Sequence, residues 1–233
     1  MKPQEIMLNT HIKENTLDRF SEEEIGDDHF YTGLETPMKL DAFEISDSEK
    51  KEKISGLFAQ IMDVMGLDLT DDSLKGTPNR VAKMYIDEIF SGLNPLNKPK
   101  IALFDNKYKY NQMLVEKNIT FYSNCEHHFV PIIGIAHIAY VSSGKVIGIS
   151  KLNRIVQYYA KRPQVQERLT NQIAIELKTI LDTEDIAIII DAKHLCVSSR
   201  GVKDDTSATV TSYYSGVFNE PHKIVELQNY LNQ

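Results

Sequence analysis

The chain has 233 residues, 42% hydrophobic and 25% charged, with a net charge of −7. That length supports one good core and a smaller appendage, while no apolar run approaches the ~20 residues of a membrane span. The acidic balance argues against general nucleic-acid binding but leaves room for a local basic pocket. The acidity is concentrated: residues 1–47 carry 12 acidic and 4 basic side chains, so the remainder is close to neutral. The opening MKPQEIMLNTHIKENTLDRF lacks the apolar stretch of a secretory signal, which predicts a soluble cytoplasmic protein. In that compartment Cys125 and Cys196 are expected as thiols or metal ligands rather than as a disulfide.

In chain order, residues 1–45 show no sustained periodicity and read as an acidic, irregular or mobile arm. A helical segment follows over 46–95. Ser46-x-x-Glu49 suggests a capping box. Ile54, Leu57, Phe58, Ile61, Met62 and Met65 then form an inward stripe, with Gly66 as the stop. A second helix is predicted to open on Thr77 as cap with Pro78 at its first position, to bury Val81, Met84, Tyr85, Ile89 and Phe90, and to close at Gly92. Residues 96–233 read as the main domain. Strands are expected at 112–122 and 131–141, with a short apolar stretch at 145–149. Helices follow from Ser150 to about Lys161 and from Pro163 to about Leu181, then IAIIID at 186–191, a segment around 194–199 and a Thr/Ser/Tyr-rich strand at about 206–217. This order suggests an α+β fold, an antiparallel sheet with a helix pair on one face. Such a sheet leaves edges and one face without helices of its own, which points to self-association.

The densest chemistry lies in FYSNCEHHF, residues 121–129. Cys125 and His128 have C-x-x-H spacing, and Cys196 can add a second soft ligand. Two Cys and one His leave one tetrahedral position of zinc open, the pattern of a catalytic site, where bound water has a pKa of roughly 7. Spacing alone also fits two buried cysteines and a satisfied core histidine. His127 beside Glu126, and His194 two residues before Cys196, favour the metal reading. If residues 194–196 are extended, both side chains share a face, and His194 suits a proton shuttle rather than a ligand. His137 reads as structural, and His11, His29 and His222 carry no assigned role. In SKLNRIVQ, Ser150 is a candidate cap that places Lys151 and Arg154 at a helix start, where cations are misplaced unless an anion binds there. Arg200 and Gly201 follow Cys196 closely, and a guanidinium suits phosphate oxygens. Arg80 is a weaker anion candidate. Gln166 and Glu167, in the first turn of a long helix, fit either a dipole partner or a reader of a purine N–H edge.

The blocks GTPNRVAKMYIDEIFSGL, CEHHFVPIIG, VIGISKLNRIVQYYAKRPQVQERLTNQI and HLCVSSRGVKDDTSATVT resemble the GTP cyclohydrolase I family over residues 50–218. The resemblance implies the tunnelling fold, a strand-strand-helix-helix-strand-strand unit. It also implies a toroidal homodecamer of two pentamers with active sites between subunits. The implied reaction converts GTP and water to 7,8-dihydroneopterin triphosphate and formate, at the entry to folate and pterin synthesis. By motif, Cys125, His128 and Cys196 resemble the Zn²⁺ ligands, and His127 and His194 the proton-transfer histidines. Ser150 is implied in the later steps, Arg80, Lys151, Arg154 and Arg200 at the triphosphate, and Gln166 and Glu167 at the guanine. Lys203 stands where some relatives have a second arginine, which keeps the charge without the planar fork. Other tunnelling-fold enzymes bind zinc through three histidines or use a nucleophilic cysteine without this zinc set. A non-catalytic, zinc-stabilised assembly protein is the remaining alternative.

Overall fold

A computed structural model describes residues 33–233. Most of the arm expected over 1–45, with His11 and His29, thus lies outside the described residues; residues 33–45 contain turns but no helix or strand. Helix α1 (Asp47–Val64) begins with the expected reciprocal cap. Ser46 Oγ accepts from the Glu49 N–H at 3.2 Å, and Glu49 Oε2 accepts from the Ser46 N–H at 2.9 Å. Gly66, at φ +78°, ends it by donating to Asp63 O while Leu67 donates to Met62 O. The inward stripe is only partly realised: Met62 is buried, but Leu57, Ile61 and Met65 are each more than half exposed. Within one chain α1 packs chiefly on α2 (Thr77–Lys83), so one flank finds cover and the other does not.

Helix α2 is capped by Gly76 rather than Thr77, which moves Thr77 and Pro78 to its first two helical positions. It widens into a π-helical stretch, Met84–Ile89, and ends in a 3₁₀ turn, Ser91–Leu93. Gly92 is not the expected stop signal. Its N–H donates to Lys161 O and its carbonyl accepts from Arg162 Nε, both at 2.9 Å, at the end of helix α3 (Ile149–Ala160). A Cβ on Gly92 would sit 2.0 Å from the Tyr158 carbonyl oxygen. Gly92→Ala is therefore expected to lower the thermal midpoint by about 5–10 °C through forced separation of the two segments, as scanning calorimetry would show.

The remaining chain builds a short β1–β4 pair (Leu103–Asp105, Lys145–Ile147) and a five-stranded sheet in the order β5-β2-β3-β6-β7. Its strands are β2 (Met113–Cys125), β3 (Pro131–Val141), β5 (Pro163–Gln164), β6 (Ile186–His194) and β7 (Thr209–Tyr214). All neighbours are antiparallel except β5 with β2. Helix α4 (Gln166–Leu181) starts later than expected because Pro163 and Gln164 extend to pair with Asn124 and Cys125. The extended path considered for 194–196 holds only at His194, which ends β6; Leu195–Ser198 form a helical turn, α5.

Helices α3 and α4 cover one face of the sheet. Leu152, Ile155, Val156, Leu169, Ile173 and Leu177 pack there with Phe121, Ile138, Ile188 and Ile190. The other face, expected from the sequence to lack helices of its own, is partly covered. Helix α6 (Pro221–Leu231) and the turn before it bring Leu227 and Phe218 onto Met113, Ala139 and Ala187. Away from that cover Tyr122, paired across β2–β3 with Ile133, stays 62% exposed. Among the described residues no helix is long and apolar enough to cross a membrane.

Candidate active site

The turn between β2 and β3 sets the centre of the site. The Cys125 N–H donates to Val130 O, and the Phe129 N–H returns to Cys125 O at 2.8 Å. Phe129 takes a left-handed φ of +54°, uncommon outside glycine and tolerated where surrounding contacts hold it. Its ring supplies one such contact, packing on Phe90 and Tyr85 with centroids 4.9 and 6.3 Å away. The turn brings Cys125 and His128 to one side. Cys196 meets them from α5, and one donor atom of each residue lies within 4.8 Å of the others. Cys196 therefore reaches the cluster from a helical turn, not from the strand face assumed from the sequence.

These three side chains could hold a metal. A tetrahedral zinc with bonds of about 2.3 Å to sulfur needs its sulfurs about 3.7 Å apart, so the cluster closes with small side-chain adjustments. Burial, with the neighbouring Cys125 thiol, pushes the Cys196 thiol above its ordinary range. A divalent cation reverses that effect, because thiolates facing the ion are stabilised. His127 Nδ1 lies 3.5 Å from Cys125 Sγ, and its Nε2 is 3.9 Å from Glu126 Oε1.

His194 ends β6 and is outside the three-atom cluster. Its Nε2 lies 2.8 Å from Gln166 Oε1. The Gln166 Nε2 donates to Ile190 O and Thr209 O, at 3.1 and 2.8 Å, which fixes the amide orientation. Oε1 can then only accept, so Nε2 of His194 carries the proton and Nδ1 is left basic. Burial holds the imidazole below its ordinary pKa, against a weaker upward pull from Glu167. Glu167 itself is exposed, whereas Gln166 is buried with both amide atoms engaged.

Arg200 also stands at this end, its Nη1 2.8 Å from His128 Nε2. Lys203 closes that loop at φ +59°, its N–H donating to Val197 O and Arg200 O. Arg80, on α2, donates to Ser73 O and Thr77 Oγ1 within its own helix start.

The other predicted cations are elsewhere. Gly148 caps α3, so Ser150 and Lys151 sit inside its first turn and Ser150 is not the cap. Helix α3 runs along β2 with Gln157 Nε2 on Thr120 O at 2.7 Å and Asn153 Nδ2 approaching Glu116 Oε1 at 3.5 Å. Its start is thus level with Glu116, some nine strand residues from Cys125, roughly 25–30 Å along β2. Arg154 lines a cleft of about 280 Å³ with Lys161, Gln157 and Asn97. Within one chain the length of β2 separates the start of α3 from the cysteine-histidine cluster.

One pair was missed from the sequence. Arg168 is buried on α4, and its guanidinium takes both carboxylate oxygens of Glu126. The available signal was a charged residue on an otherwise inward helical face, beside Leu169.

The family model for GTP cyclohydrolase I matches residues 54–230, so the likeness reaches through most of α6, beyond the limit of 218 drawn from the motifs. A GTP cyclohydrolase 1 of Flavobacterium johnsoniae is 62% identical over 209 residues, covering 90% of this chain and 94% of the relative. Those of Aeromonas salmonicida and Vibrio cholerae are 55% and 54% identical over 186 residues, each covering 80% of this chain, and 84% and 85% of the relative. With its α+β sheet, its cysteine-histidine cluster and a match over most of its length, the chain belongs to the GTP cyclohydrolase I family of enzymes.

Proposed function

We propose that the protein is a zinc-dependent cytoplasmic enzyme that converts GTP and water to 7,8-dihydroneopterin triphosphate and formate, feeding folate and pterin synthesis. The Cys125–His128–Cys196 cluster beside a half-buried His194, whose pKa desolvation lowers, carries this reading. Two thiolates and one imidazole suit Zn²⁺ and leave a fourth position for solvent. Zinc bound there supplies an acidified water, with a pKa of roughly 7, for hydrolysis.

The chain's own residues do the rest. His194 accepts and returns protons through Nδ1 as water adds at C8, the imidazole ring opens and formate leaves. His127, whose Nδ1 lies 3.5 Å from Cys125 Sγ, serves as the second proton-transfer group. Glu167 offers its exposed carboxylate to the guanine N–H edge, while Gln166 orients His194. Arg80 and Arg200, with Lys151 and Arg154, neutralise the triphosphate, and Ser150 assists the later rearrangement.

Lys151 lies roughly 25–30 Å from Cys125 along the strand of one chain, farther than one GTP reaches. The substrate therefore spans two subunits, each giving one end of its sheet. The exposed apolar flank of α1, the exposed Tyr122–Ile133 pair and the open edge at β7 fit burial between copies. The assembly is a homo-oligomer, a decamer of two pentamers by likeness to the family.

Two measurements test this. Wild-type protein with zinc is expected to release formate from GTP and to yield a fluorescent pterin after oxidation. His194→Ala and Lys151→Ala, each nearly inactive, should regain roughly a quarter of wild-type turnover after equal mixing and subunit exchange, the share of sites with both halves intact under random pairing. No formate from the zinc-loaded wild type overturns the activity; no recovery on mixing overturns the shared site.

A further inference from the structure

Arg168 is 5% exposed and uses three of its nitrogens on two different parts of the chain. Nη1 and Nη2 grip the two oxygens of Glu126, which stands between Cys125 and the histidine pair. On its other side Nε donates to the carbonyl of Gly33 at 3.0 Å. Four residues on, along the same flank of α4, Gln172 Nε2 donates to the carbonyl of Leu34 at 2.9 Å. The Glu126 N–H is held as well, by Gln164 O at 3.0 Å. Besides the bonds within the turn and to Val130, Glu126 is thus fixed by one backbone bond and one buried, two-pronged ion pair. The guanidinium that makes the pair also anchors the backbone at Gly33.

A planar fork sets the direction of the carboxylate it holds, which a lysine ammonium does not. A carboxylate fixed next to a ligand in sequence limits the ways the turn can present its donor atoms. Such outer contacts typically change metal affinity by about 10–100-fold. We propose that Arg168 is a positioning residue joining the metal-binding turn to residues 33–34, so that metal occupancy and docking of that segment on α4 stabilise each other. The coupling is reciprocal by linkage. It rests on the metal reading above and extends it to a part of the chain with no ligand of its own.

The test uses full-length protein loaded with cobalt(II) or zinc. Arg168→Lys keeps the charge without the fork, and Glu126→Gln keeps the shape at the partly exposed end of the pair, so both are suited to fold. Each is expected to release cobalt to a chelator about 10-fold faster than wild type and to shift the cobalt ligand-field bands. The double variant should be no worse than the weaker single, since both remove one interaction. In wild type, zinc should slow amide hydrogen exchange in residues 33–37, and in either variant this protection should vanish. Release within about twofold of wild type, or exchange at 33–37 indifferent to zinc in the wild type, overturns the proposal. A wild type that takes up no cobalt overturns the metal reading as well, so the two failures are told apart.

Discussion

Cys196→Ser is expected to abolish metal retention and formate release together. Cys196 reaches the cluster from α5, a four-residue turn that nothing else in the site replaces. A serine hydroxyl is a hard, weakly acidic donor, and it leaves the ion on one thiolate and one imidazole. Bound zinc after dialysis should fall to background, and kcat by on the order of 10³-fold, equivalent to about 4 kcal/mol of lost transition-state stabilisation. Metal analysis and formate release on the same sample provide the check. A serine variant that keeps its zinc and loses only turnover would show that Cys196 is not a ligand.

His194→Ala separates proton transfer from metal binding. His194 is outside the three-atom cluster and its Nε2 is committed to Gln166, so zinc content should remain at the wild-type level. Turnover should fall by about 10²–10⁴-fold, the usual worth of a positioned acid–base group. The alanine also strands Gln166 Oε1 in a buried site, at a cost of about 1–3 kcal/mol. His194→Asn restores a donor to that oxygen without a base, so it should recover thermal stability but not activity. Burial lowers the His194 pKa, so the neutral form that the proposed proton transfer uses persists below the ordinary value of 6.5. The acid limb of kcat/KM is therefore expected below that pH in wild type and absent from the residual activity of the variants. Zinc lost in parallel with activity would make His194 a ligand instead.

Much of this arrangement could be read before any coordinates, and the exceptions have physical causes. The 131–141 strand and the buried stripe of α3 follow from hydrophobic period, because both elements face a core the chain itself supplies. The cysteine-histidine trio was legible from spacing and residue type. The turn at 195–198 was not, since four residues show no period and the direction of Cys196 depends on tertiary contacts. The stripe on α1 misled because an apolar face reports that something covers it, not that the same chain does. Gly92 imitated a helix stop while serving a close approach between backbones. Pro221 and the Ile224, Leu227, Leu231 spacing signalled α6, but these residues lay beyond the motif blocks and were not assigned an element. Gln166 reads in the sequence as a dipole partner or a purine reader, not as the partner of His194, and Arg168 is visible only as a charged letter in a helical pattern. Their partners, His194 and Glu126, lie 28 and 42 residues away, and local sequence does not encode such pairings.

Helix α4 carries Gln166, Arg168 and Gln172 on the same rod as Leu169, Ile173 and Leu177. Its polar grips and its greasy keel are rigidly geared through the helical pitch of 1.5 Å per residue. The contacts these side chains make are tied to the seat of the keel on the sheet, so local opening there is costly. Precision at the reacting atoms is inherited from the interior, and a wound deep under α4 reaches the chemistry as surely as one beside it.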